Sequence, residues 1–213
     1  MCAQYILDGS TDRQYVVALA HGAGIGMDAA FMETIAQRLS EQDPAIAVAR
    51  FEFPYMAQRR IDGKKRPPDR EPTLRQSWLD VIAALTSEWD KSAIVIGGKS
   101  MGGRIASLVA DEAEVRGLVC LGYPFHPIGK PEKPRTEHLR TLRTPTLICQ
   151  GERDPMGTCA DVAQYDLAPS IEMLWLPDGN HDLKPRKASG YTHDAHLQRT
   201  IDAIARHVHA LPP

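Results

Sequence analysis

Short runs of aliphatic and β-branched residues recur along the chain, at 15–20, 45–51, 93–96, 117–121, 146–150 and 171–176. Apart from Arg50, Gln150 and Glu172 the apolar character within the runs is nearly continuous, as expected of strands covered on both faces. Between the runs the spacing changes. Phe31, Met32, Ile35, Ala36 and Leu39 fall at helical intervals, as do Leu74, Trp78, Val81, Ile82, Leu85 and Trp89, and later Leu197, Ile201, Ile204 and Val208. Each set forms an apolar stripe along one side of a helix. Asp28 is placed to cap the first helix, and Thr73 to Gln76 reads as the capping-box start of the second. Strands alternating with helices predict an α/β class: a mostly parallel sheet of about six or seven strands with helices on both faces. A chain of 213 residues suffices for one well-buried domain over residues 1–213. The stretch 56–72 breaks the pattern and reads as a polar loop insertion.

The ends of the apolar runs carry the candidate chemistry. The run at 93–96 passes through Gly98-Lys99-Ser100-Met101-Gly102 into an Ala-rich apolar helix. That is G-x-S-x-G between a strand and a helix, a turn that exposes the serine at the carboxyl end of a sheet. A serine hydroxyl becomes a useful nucleophile only when a base takes its proton. The helix that follows aims the orphan N–H of Met101 at an oxyanion. After the run at 15–20 comes His21-Gly22-Ala23-Gly24-Ile25-Gly26. This turn is expected to supply a second oxyanion donor from Ala23, with Gly24 as the alternative, while His21 orients the loop. Its glycines do not follow G-x-G-x-x-G, so a dinucleotide site is not indicated.

An acid and a base follow in the matching order. Asp154 stands just past the run at 146–150, and His181 lies in the loop after the run at 171–176. In that order, Asp154 orients His181 and His181 takes the Ser100 proton. His193, His196, His207 and His209 compete poorly for the role. The last two end a helix, where they suit its dipole. Tyr55, Tyr123, Phe125 and His126 leave strand ends, and with Gly24 and Met156 they are the candidate pocket residues. A metal role for His126 finds no second ligand at a usable spacing, and no metal or organic cofactor is called for.

Charge narrows the partners. A net charge of −2 does not suggest nucleic acid or a membrane surface, and no apolar run approaches the length of a span. The beginning of the chain lacks a basic region followed by an apolar core. Cys2, Cys120, Cys149 and Cys159 match neither a zinc site nor a redox pair, which points to a reducing, cytoplasmic setting. Segment 56–72 with Glu71 sets six basic residues against Asp62, Asp69 and Glu71. With Lys184, Arg186 and Lys187, it would favour an anionic substrate, or else form a solvated rim.

Taken together, Arg50 to Tyr55, the Gly97 to Arg104 turn, Leu121 to Pro127 with Gly129 to Glu132, and Gln150 to Thr158 resemble one group of proteins. It is the small, capless α/β-hydrolases related to dienelactone hydrolases. The group includes the hydrolase-like domain of a subunit of a eukaryotic chromatin acetyltransferase complex. The resemblance covers the chain from about the His21 turn to the His181 loop. It implies an α/β-hydrolase fold without a cap domain and a triad of Ser100, Asp154 and His181. Dienelactone hydrolases use a Cys nucleophile where this chain has Ser100, so their lactone substrate is not implied. The expected activity is hydrolysis of a small-molecule ester or thioester through an acyl-enzyme. Acyl transfer to another acceptor would use the same residues. The alternative is a non-catalytic binding or scaffold module working through the 56–72 segment.

Overall fold

The computed structural model describes residues 5–211; Cys2 lies outside the described residues. Seven strands form one sheet in the order β1-β3-β2-β4-β5-β6-β7. They are β1 (Tyr5–Asp8), β2 (Tyr15–Ala20), β3 (Ile46–Phe51), β4 (Ile94–Lys99), β5 (Gly117–Leu121), β6 (Thr146–Gly151) and β7 (Ile171–Leu176). All neighbours pair in parallel except β1, which runs antiparallel to β3 from Tyr5 opposite Phe51 to Asp8 opposite Val48. The helices are α1 (Ala30–Gln42), α2 (Pro54–Asp62), α3 (Glu71–Leu85), α4 (Met101–Ala113), the short α5 (Cys159–Val162) and α6 (His193–Ala210).

The central strands are buried on both faces, and their side chains divide by parity, as the pleat requires. Val16, Ala18 and Ala20 join Ala47, Ala49, Ile94 and Ile96 against Trp78, Val81 and Leu85 of α3 and Ile105 and Val109 of α4. Val17 and Leu19 join Ile46, Val48 and Val95 against Ile35 and Leu39 of α1 and Ile201 and Ile204 of α6. On the first face, the Phe51 and Trp78 rings meet edge to face with centroids 4.6 Å apart, and the Trp78 indole N–H donates to the Gly102 carbonyl at 3.3 Å. Phe51 and Trp78 thereby fasten α3 to the beginning of α4. Among the described residues no helix is long and apolar enough to cross a membrane.

Four expectations are corrected. Segment 56–72 is not one loop: α2 runs to Asp62, α3 begins at Glu71, and only 63–70 is irregular. Each of these helices starts with a proline in its first turn, where no N–H is missed. The capping box at Thr73 is therefore not used, because Pro72 lets α3 begin earlier, after Arg70. Asp28 does not cap α1; its carboxylate is held by Arg60 at 2.6 and 2.9 Å. Strict strand–helix alternation also fails after β5. A 3-10 turn (Glu137–Arg140) joins β5 to β6, and the four-residue α5 joins β6 to β7.

The turn between β4 and α4 is strained. Ser100 has φ 51° and ψ −114°, a conformation that costs an L-residue about 1–3 kcal/mol. Gly98, at φ +151°, and Gly102 both press on the end of β2: a Cβ there would lie 2.1 and 2.3 Å from the Ala20 carbonyl oxygen. Ser100→Gly is expected to unfold at higher urea than Ser100→Ala, by about 1 kcal/mol, because both lose the hydroxyl and only glycine relieves the strain. Equal midpoints for the two variants would mean that the turn stores no strain.

Burial holds the imidazoles of His21, His138 and His207 below the ordinary histidine range, that of His138 at about 4. These side chains are neutral in the fold, whereas the unfolded chain takes up protons first as the pH drops. The stability they lend is present above about pH 6.5 and is lost towards the folded values as pH falls. Urea midpoints are expected to be level from about pH 8 to 7 and to fall steadily as the pH drops from about 6.5 towards 4. His138→Gln should flatten part of that fall. A midpoint that rises on acidification would contradict the burial argument.

Candidate active site

Three strands deliver three side chains to one place. Ser100 ends β4, Asp154 lies in the turn after β6, and His181 lies in the loop after β7. The Ser100 N–H donates to the Leu121 carbonyl of neighbouring β5 at 2.9 Å, which ties the turn to the sheet. The Ser100 hydroxyl lies 2.9 Å from His181 Nε2. On the other side of the ring, His181 Nδ1 is 2.7 Å from Asp154 Oδ2. With the proton on Nδ1, the ring donates to the carboxylate and presents its Nε2 lone pair to the hydroxyl.

Asp154 is fully buried, and an isolated buried carboxylate is costly. Here its oxygens are satisfied. Oδ2 also accepts from Gln150 Nε2 at 2.9 Å, and Oδ1 accepts from the Met156 N–H at 2.9 Å. Gln150 is itself wholly buried and additionally binds both the N–H and the carbonyl of Tyr123, at 2.7 and 3.2 Å. It locks the β5 and β6 ends together under the carboxylate.

The His181 main chain is held from beneath by Lys99. The Lys99 ammonium donates to the His181 carbonyl at 2.7 Å and pairs with Asp182 at 3.2 Å, although its side chain is only 3% exposed. Burial lowers the Lys99 pKa, and the neighbouring Asp182 works against that shift. The loop closes on itself through Asn180, whose side-chain oxygen accepts from the N–H groups of Asp182 and Lys184.

Two residues from separate turns meet beside Ser100. Ala23 and Met101 both line the cavity of about 400 Å³ that opens beside Ser100. Neither N–H has a protein acceptor among the described residues. The Ala23 turn is fixed from two sides. His21 Nδ1 donates to the Gly22 carbonyl at 2.7 Å while its Nε2 accepts from the Phe53 N–H at 3.1 Å. The Tyr55 hydroxyl donates to the Ala23 carbonyl at 3.0 Å. His21 is fully buried and braces the loop, and burial keeps its imidazole neutral.

Of the six expected pocket residues, Met156 lines this cavity and five do not. Tyr55 is buried behind the Ala23 turn, and burial pushes its phenol up to about 12. Tyr123 and Phe125 are completely buried, the first with its hydroxyl on the Arg135 carbonyl and the second stacked on Tyr165. His126 is buried, with Nδ1 2.9 Å from the Pro127 carbonyl oxygen. Gly24 faces a separate depression lined by Glu52, Arg59 and Arg60. The side chains beside Ser100 that sequence reasoning passed over are Arg104, Arg135, Glu71 and Leu74. A larger depression of about 730 Å³ between the ends of α1 and α6 contains Gln42, Asp43 and His209 but no hydroxyl or thiol. Among the described residues no three His, Cys, Asp or Glu side chains are grouped to hold a metal ion.

Two of the six basic residues of 56–72 are paired with acids. Arg60 binds Asp28 and Glu52, and Arg66 pairs with Asp62. Beyond His181, Arg186 pairs with Asp178. These acids offset part of the basic surplus at this rim.

Comparison with known proteins agrees with this architecture. Residues 13–209 match the alpha/beta hydrolase domain family. A dienelactone hydrolase from Anabaena variabilis is 19% identical and superimposes with a TM-score of 0.70 over 100% of both chains. A lidless α/β serine hydrolase from Xanthomonas campestris is 17% identical, with a TM-score of 0.65 over 99% of this chain and 96% of its own. The esterase domain of a Rhodothermus marinus protein is 17% identical, with a TM-score of 0.67 over 97% of this chain and 92% of its own. At these identities the likeness is one of fold. The chain belongs to the alpha/beta hydrolase domain family, and it shares its fold with a dienelactone hydrolase and a lidless serine hydrolase.

Proposed function

We propose that the protein is a serine hydrolase that cleaves a small ester or thioester through a Ser100–His181–Asp154 triad. The observation that carries this reading is the unbroken line from the Ser100 hydroxyl through His181 to buried Asp154, at 2.9 and 2.7 Å, ending at an open cavity. His181 Nε2 takes the Ser100 proton as Oγ attacks the acyl carbonyl. The carbonyl oxygen gains the negative charge, and the free N–H groups of Ala23 and Met101 stabilise it. His181 then gives its proton to the departing oxygen or sulfur, and the C–O or C–S bond breaks. Water attacks the acyl-enzyme, passing a proton to His181, which returns it to Ser100 as the acid leaves. Asp154 holds the ring orientation and offsets the imidazolium charge throughout. A scaffold role through segment 56–72 would have to use Arg59, Lys64, Lys65 and Arg70, because Arg60 and Arg66 there are paired with acids.

A fluorophosphonate probe, with p-nitrophenyl acetate and butyrate as substrates, tests the reading. Wild-type protein should be labelled and should turn over both esters, and Ser100→Ala should do neither. Asp154→Asn should keep the fold and lower kcat by about 10³–10⁴-fold, since Asn donates to Nδ1 and forces the wrong tautomer. A folded wild type that is neither labelled nor active would overturn the proposal. A kcat for Asp154→Asn within a few fold of wild type would remove Asp154 from the triad.

A further inference from the structure

The cavity beside Ser100 contains two guanidinium groups, those of Arg104 and Arg135. Arg104 lies one helical turn beyond the serine, its N–H donating to the Ser100 carbonyl at 3.0 Å. Side chains on a helix lean towards its N-terminus, which carries this guanidinium back towards Ser100. Its Nη2 donates to Glu71 at 2.9 Å, but its Nε is buried without a partner. An unpaired buried donor is uncommon in a folded protein and calls for an acceptor.

Arg135 carries the stronger signal. Among the described residues its guanidinium makes no hydrogen bond or ion pair. The other carboxylate of the cavity, Asp69, accepts instead from the Tyr55 N–H at 2.9 Å. Yet the Arg135 main chain is firmly placed. Its N–H donates to the Phe125 carbonyl at 2.7 Å, and its carbonyl accepts from the buried Tyr123 hydroxyl at 3.0 Å. Burial, and then the like charge of Arg104, pull its pKa down, so the two cations feel each other across the cavity. A half-buried cation without a partner stands near a second cation, while the two acids of the cavity are engaged elsewhere, Glu71 with Arg104 and Asp69 with the Tyr55 N–H; this arrangement suits an anion at Arg135.

We propose that this cavity accepts an ester or thioester that carries a carboxylate, with Arg135 as its bidentate partner and the free Nε–H of Arg104 as a further donor. The proposal rests on the hydrolase reading above and adds the substrate's charge. The carboxylate is assigned to the acyl part, as in a half-ester of a short dicarboxylic acid, because Arg104 follows Met101, the donor to the acyl carbonyl, on the same helix.

Three measurements test it. First, kcat/KM for mono-p-nitrophenyl glutarate is compared with that for its neutral methyl ester. The anion should be favoured at least tenfold at low salt, and the preference should shrink as salt is added. Arg135→Gln should bring the ratio to about one, and Arg135→Lys should keep part of it, because a point charge attracts without the bidentate fit. Second, 4-acetoxybenzoate against its methyl ester places the charge on the leaving group; a preference there alone would overturn the acyl assignment. Third, calorimetry of glutarate with Ser100→Ala reads anion binding without turnover, and Arg135→Gln added to that variant should weaken it at least tenfold. Hydrolysis of neutral esters with no anion preference and no glutarate binding would overturn this proposal and leave the hydrolase reading intact. Glutarate binding without any ester turnover would overturn the hydrolase reading, and with it the substrate assignment, while leaving an anion site at Arg135.

Discussion

The end of β2 and the turn from β4 into α4 occupy nearly the same space. A methyl group on Gly98 or Gly102 would stand within 2.3 Å of the Ala20 carbonyl oxygen, well inside van der Waals contact. Because both positions lack a side chain, β4 can turn sharply into α4 directly against its neighbour. Ser100 absorbs the cost as a positive φ. The close approach also has a chemical result. It brings the Ala23 turn, which continues β2, to the same cavity as the Met101 N–H at the head of α4.

The remaining site groups are held by contacts that each cross from one strand end to the next. Gln150 of β6 grips the Tyr123 main chain beyond β5 and the Asp154 carboxylate. Lys99 of β4 reaches the His181 carbonyl in the loop after β7. His21, after β2, receives the Phe53 N–H that follows β3. Each of these side chains is buried, so each hydrogen bond acts at low dielectric, where a missing partner is expensive. The imidazole of His181 is thus steadied twice, through its ring by Asp154 and through its own carbonyl by Lys99. A sheet that spaces its strands evenly supplies the frame, and these buried polar contacts set the fine position of the side chains.

Much of this is legible in the sequence, for identifiable reasons. The parallel strands announce themselves because most are covered on both faces, so that only Arg50 in β3 and Glu172 in the partly exposed β7 place a charge within their apolar runs. Ser100, Asp154 and His181 can be picked out because each follows such a run within a few residues. β1 escapes notice: it has four residues, none of them fully buried, and pairs antiparallel at the edge. α2 escapes because only Tyr55 and Met56 are buried on it, too few to show a period among Gln58, Arg59 and Arg60. The aromatic pocket expectation fails for a different reason. That Tyr123 and Phe125 leave a strand's carboxyl end says where their backbone is, but not whether the side chain turns to the cavity or to the core. Both turn to the core, where Tyr123 spends its hydroxyl on holding Arg135.

Charge shows the same limit more sharply. Counted along the chain, the basic surplus lies in segment 56–72, and an anion-binding rim seems to belong there. In space, Arg60 sits between Asp28 and Glu52, which come from a distant turn and from the end of β3. Those acids do not appear in the local count, and they offset the Arg60 charge. In the cavity beside Ser100, the cation without a partner among the described residues is Arg135, in a Pro-rich stretch whose own neighbours, Lys133 and Glu132, give no sign of it. Its isolation arises because Glu71 is taken by Arg104 and Asp69 by the start of α2. The field inside a cavity therefore follows from which charges are left over after neighbours pair, and that remainder is a property of the fold.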